Sequence, residues 1–97
     1  MQIDLFMQHL NSFMDVHAIS RDVKDRYNKC REEDAELADA FYSCNIPDFR
    51  NEALDRLITA LALLDSLGVK DPLHCAYEKL VSVATRPEYQ SMREAGK

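Results

Sequence analysis

A chain of 97 residues supports one small domain and leaves little material to surround a core completely. Its composition, 46% hydrophobic and 30% charged with two Gly and three Pro, excludes a disordered segment and argues against many short strands joined by tight turns. A net charge of −5 with no basic block argues against a nucleic-acid binder, whose affinity comes from Lys and Arg neutralising phosphates.

The first helix is predicted from about Ile3 to His17. There Ile3, Phe6, Met7, Leu10, Phe13 and Met14 recur at the i, i+3, i+4, i+7 spacing of one helical face. Met7 and Met14 are expected in the core or at an interface. Ser20 has the chemistry of an N-cap for a second helix, Arg21 to about Ser43. Its stripe is Val23, Tyr27, Cys30, Leu37, Phe41 and Cys44, with Asp34 standing where the pattern wants an apolar residue. Asn45-Ile46-Pro47-Asp48 breaks this helix, since proline lacks a backbone donor and restricts the residue before it. Asp48 is then expected to cap a third helix that runs to Leu67 and stops at Gly68. Asp71-Pro72 starts a fourth, Asp as N-cap and Pro at the first position, continuing to about Thr85. Glu88 to Lys97 is polar and reads as a tail, helical or flexible. The domain is thus expected over residues 1–87, with 88–97 as its C-terminal tail.

The third helix carries a further message. From Leu57 to Leu67 eight of eleven residues are apolar, and they point in nearly every direction around the axis. A helix apolar all round has to be buried all round. A second subunit is the expected cover; the alternative is that the first and fourth helices cover both sides. The expected architecture is an all-α hairpin bundle of about four helices, assembled as a homodimer or homotetramer.

Cys30, Cys44 and Cys75 are odd in number and lack CxxC spacing, so reduced thiols are expected. The N-terminus lacks the basic and apolar regions of a signal peptide, and the Leu57–Leu67 stretch is too short to span a bilayer and contains Asp65. A cytoplasmic protein with no membrane partner is expected.

Chemistry concentrates in two acidic pairs. Glu33 with Glu36 on the second helix, and Glu52 with Asp55 on the third, sit three residues apart and so neighbour each other on a helix surface. The short break between the helices predicts an antiparallel hairpin that faces the pairs at similar height. Two carboxylates 4 Å apart repel by about 1 kcal/mol in water and about 4 at an effective dielectric of 20. A divalent cation removes that cost, and an oxygen-only ligand set points to Mg²⁺ or Mn²⁺. No His follows at the spacing of a di-iron bundle. Taken singly, either pair is what a solvated helix face often shows in a chain with 17 acidic residues.

The runs Glu32-Glu33-Asp34-Ala35-Glu36-Leu37-Ala38-Asp39-Ala40 and Asn51-Glu52-Ala53-Leu54-Asp55-Arg56-Leu57, with a 15-residue spacer between Glu36 and Glu52, resemble the ExxE…ExxD signature of MazG-like nucleotide pyrophosphohydrolases, members of the all-α NTP pyrophosphatase superfamily. Asp34 and Arg56 are more polar than the usual occupants of their positions. The resemblance implies Mg²⁺-dependent hydrolysis of a nucleoside triphosphate to a monophosphate and pyrophosphate, with Glu33, Glu36, Glu52 and Asp55 as metal ligands. It implies Glu32 and Glu33 as the catalytic pair, Glu32 orienting the attacking water, and Lys79 and Arg86 as substrate-binding residues. Tyr89 and Arg93 are further candidates to close over substrate, and Phe6, Leu10 and Phe13 to contact the base. The competing expectation is a non-enzymatic helical interaction or regulatory module whose acids only solvate its surface.

Overall fold

The computed structural model describes residues 2–96, in which five α-helices and no strand occur. Residues 1 and 97, the outermost positions of the expected domain and tail, lie outside the described residues. Helix α1 (Ile3–Val16) follows the predicted amphipathic face and buries Met7, Leu10 and Met14. The chain turns after it at Ala18, whose φ of 53° is left-handed.

Asp22, rather than Ser20, caps α2 (Val23–Tyr42): its carboxylate accepts from the Lys24 and Asp25 N–H groups at 3.0 and 3.3 Å. A carboxylate serves both the free N–H groups and the positive end of the helix dipole. Ser20 supports this cap from outside, its hydroxyl donating to Asp25 at 2.6 Å and accepting from the Asp22 N–H at 3.1 Å.

The next break falls earlier than the proline. Cys44, with φ 58°, turns the chain, and Asn45 caps α3 (Ile46–Ser66) by accepting from the Asp48 N–H at 3.1 Å. Pro47 lies in the first turn, where an N–H would have no intrahelical partner to lose. The expected cap, Asp48, is therefore a first-turn acid. At the other end Gly68 takes φ +83° beyond the Leu67 C-cap, and the Val69 N–H reaches back to the Leu64 carbonyl at 3.0 Å. Asp71 caps α4 (Pro72–Ala84) as expected, accepting from the His74 N–H at 3.2 Å. Arg86-Pro87 then opens a fifth helix, α5 (Pro87–Ala95), because proline suits a first helical position as well as a stop. The polar tail is thus helical.

Helices α2 and α3 make the main interhelical contact, as an antiparallel hairpin. Its register is set by Arg56 donating to Asp34 at 2.6 Å and by the Cys30 thiol donating to the Thr59 carbonyl at 3.4 Å. The polar residue that interrupted the α2 stripe is therefore one half of an interhelical ion pair. Helix α1 lies against this hairpin: Met7, Leu10, Met14 and Ala62 form the core, flanked by Ile3, Phe6, Ile19 and Leu61. Met14, only 2% exposed, contributes about 1.5–3 kcal/mol by its burial. Elsewhere cover is thin. Leu54 and Leu57 of α3 and Leu73, Tyr77 and Leu80 of α4 are all more than half exposed. The first and fourth helices do not cover both sides of α3.

Candidate metal centre

The site is built from one stripe on each hairpin helix. On α2, Arg26, Lys29, Glu33, Glu36 and Ala40 follow steps of three and four residues and share a face. On α3, Glu52, Asp55, Thr59 and Ala62 do the same. The antiparallel register lays one stripe against the other. The small residues Ala40 and Ala62 are both buried and leave room between the acids.

Carboxylate oxygens of Glu33, Glu36 and Glu52 lie within 4.8 Å of one another. Glu33 is only 6% exposed, the one buried charged residue among those described. Its Oε1 is 3.4 Å from the Lys29 ammonium, which also reaches Glu32 at 3.2 Å. Its Oε2 is buried with no hydrogen-bond partner, and so is Oε2 of Glu52. Two buried, unsatisfied carboxylate oxygens in one cluster are costly, since buried polar atoms are nearly always paired. A cation held between them would supply the missing partner. Oxygen donors alone fit a hard ion such as Mg²⁺, Mn²⁺ or Ca²⁺.

The electrostatics agree with this reading of the geometry. The Glu52 carboxyl is pushed above the usual glutamate range, first by loss of water on burial and then by the charges of Glu36, Asp55, Glu33 and Asp48. The Lys29 ammonium is held charged chiefly by its hydrogen bond to Glu32 and next by that to Glu33, against the opposing effect of burial. Beyond the cluster the acidic surface continues in a groove lined by Asp39, Ser43 and Asp48 together with Glu36 and Glu52.

On the side toward α1, Glu33 and Asp55 line a cavity of about 460 Å³. Its apolar wall comes from Phe6, Leu10 and Phe13 of α1 and Ile58 of α3; its polar rim is Arg26, Lys29, Glu33, Asp55 and Thr59. Three of the four expected ligands are therefore gathered in one place. Asp55 stands beside them, on the cavity wall with Glu33 rather than within the group of mutually close oxygens.

Glu32 is exposed and held by Lys29. Lys79 on α4 and Arg86 at the start of α5 are exposed and line neither this cavity nor the acidic groove; Tyr89 and Arg93 of α5 are likewise exposed. Phe6, Leu10 and Phe13 do line the cavity. Arg26 and Lys29 escaped the sequence reading, although their spacing of seven and four residues before Glu33 places them on the same helical face. The three thiols are free, Cys30 buried and Cys44 and Cys75 exposed.

Among the described residues no helix is long and apolar enough to cross a membrane. Comparison with protein-family models, with curated proteins and with solved structures yields no match to this chain.

Proposed function

We propose that this chain is a metal-dependent nucleoside triphosphate pyrophosphohydrolase of the MazG-like kind. The observation that carries the proposal is the pair of buried, partnerless oxygens, Oε2 of Glu33 and of Glu52, within a cluster completed by Glu36, whose Glu33 also lines an apolar cavity. Glu33, Glu36 and Glu52 hold Mg²⁺ or Mn²⁺, with Asp55 as the fourth carboxylate at the cavity edge. A cation held by these carboxylates would supply charge to neutralise phosphate oxygens and would lower the pKa of a nearby water. Glu32 and Glu33 orient the water that adds to the α-phosphorus. The bond from that phosphorus to the bridging oxygen breaks, releasing pyrophosphate and leaving the monophosphate. Lys79 and Arg86, on the part of the chain least covered by its own hairpin, are the proposed donors to the phosphate tail.

The reading includes self-association. The chain exposes 7437 Å², whereas a compact monomer of this mass exposes about 5,700 Å². The excess, roughly 1,700 Å², is more than the ~800 Å² per partner that a standard interface uses. Apolar residues left open on α3 and α4 offer the surface for such a contact.

The test is pyrophosphate release from a panel of ribo- and deoxyribonucleoside triphosphates with Mg²⁺ or Mn²⁺, comparing wild type with Glu36→Gln and Asp55→Ala. Release by the wild type, lost in Glu36→Gln, is expected. A ligand that binds only the native state also raises its melting temperature, so millimolar Mn²⁺ should raise Tm for wild type and not for Glu36→Gln. Absence of release with every nucleotide and both metals would remove the enzymatic reading. If Mn²⁺ also left Tm unchanged, the exposed apolar faces of α3 and α4 would favour the helical interaction module instead.

A further inference from the structure

One cation in the cavity is left without work. Lys29 is committed to Glu32 and Glu33. Arg26 lines the same cavity, and its Nε–H is buried with no hydrogen-bond partner among the described residues. Such a donor has given up water and received nothing in return. It lies seven residues from Glu33 on α2, about 10 Å along the axis at 1.5 Å per residue. That separation sets it beyond the phosphate nearest a cation held by Glu33, in the cavity that Phe6, Phe13 and Ile58 also line.

We infer that Arg26 reads the base of the nucleotide, selecting a 6-oxopurine such as guanine. The inference rests on the nucleotide reading above. A guanidinium offers donors in a planar fork and no acceptor. A 6-oxopurine presents O6 and N7 side by side as two acceptors, which that fork engages together. Adenine sets an amino donor beside N7, so the same approach brings donor against donor. Uracil and thymine lack two adjacent acceptors. Cytosine has them on a single ring, which covers less of the apolar wall than a bicyclic base. The flat wall of Phe6, Leu10, Phe13 and Ile58 takes the ring face, and the cavity of about 460 Å³ is of the size that small-molecule sites occupy.

Binding of GMP, AMP, CMP and UMP, measured by calorimetry with Mn²⁺ present, separates this inference from the hydrolytic one, because no bond is cleaved. GMP should bind at least about tenfold more tightly than the other three, the factor a bidentate base contact typically confers. Arg26→Met should bring GMP down to the level of AMP while leaving AMP unchanged. Arg26→Lys, which keeps the charge and loses the fork, should behave as Arg26→Met does. Equal binding of the four nucleotides, preference for CMP, or no binding of any would overturn the inference. So would a uniform loss for all four in Arg26→Met, which would place the guanidinium on the phosphate. Guanine selectivity without pyrophosphate release from GTP would retire the hydrolytic reading and leave base selection standing.

Discussion

Glu52 is the residue through which proton, metal and fold compete. Its folded-state pKa is raised by burial and by four neighbouring acids, so the native chain holds a proton there more tightly than the unfolded chain. The stability that proton confers is complete below the ordinary glutamate pKa and is lost as pH rises through the raised folded value. At pH 7 without metal the charged carboxylate is therefore a strain on the fold. Glu52→Gln should raise Tm in metal-free buffer at pH 7, and the difference from wild type should shrink as pH falls below that window. The same substitution should remove the Tm gain on adding Mn²⁺. Thermal melts over pH 4–8, with and without Mn²⁺, check both outcomes; a wild type more stable than Glu52→Gln at pH 7 without metal would contradict the account. That Glu33 neighbours Glu36 was legible as an i, i+3 pair, and that Glu52 faces them followed from the short hairpin connection. That Oε2 of Glu33 has no partner was not, because it depends on where the Lys29 ammonium comes to rest.

Helix ends decide which part of each stripe faces the other. Asn45 begins α3 at Ile46, three residues before the start implied by an Asp48 cap. The cap also satisfies backbone donors that would otherwise be free. Asn45→Ala should cost about 1 kcal/mol, within the range found when a side-chain N-cap is lost. Asp48→Ala should cost less, because the Asp48 side chain caps nothing. At the far end Gly68 has open space around any added Cβ but φ +83°, so Gly68→Ala should cost about 1–2 kcal/mol from backbone strain alone. Denaturant midpoints of the three variants at unchanged m give the comparison. Equal losses in Asn45→Ala and Asp48→Ala would show that the cap assignment is wrong. The stops at Gly68 and Asp71-Pro72 were readable because each residue has one dominant backbone use. Pro47 and Pro87 each mark an interruption between helices, as their chemistry predicts, but both lie in the first turn of the helix that follows, because proline serves a helix start equally well.

The chain's own helices leave α3 half covered. Helix α1 takes the side of Leu61 and Ala62, while Leu54, Leu57 and Ile58 stay exposed. With roughly 1,700 Å² more surface than a compact monomer of its mass, a folded chain should associate with itself. Analytical ultracentrifugation should find a species larger than the 11.2 kDa chain and a Tm that rises with protein concentration. Leu57→Asp, which puts a charge in the middle of the open face, should shift the population toward monomer. A wild type that stays monomeric at high concentration, with a concentration-independent Tm, would refute self-association.

Sequence alone determined that the chain is all-helical, that two of its helices pair as an antiparallel hairpin, and that acids at i, i+3 stand on the facing sides. Those properties follow from local periodicity, from turn residues with few alternatives, and from a short connection that leaves the chain no other way to fold back. Tertiary structure decided the rest. It separated Asp55 from the three close carboxylates, paired the anomalous Asp34 with Arg56, and placed α1 so that an apolar cavity adjoins the acids. It also left the Nε of Arg26 without a partner in that cavity. Each of these depends on the relative rotation and offset of helices distant in sequence. Periodicity within one helix carries no record of either.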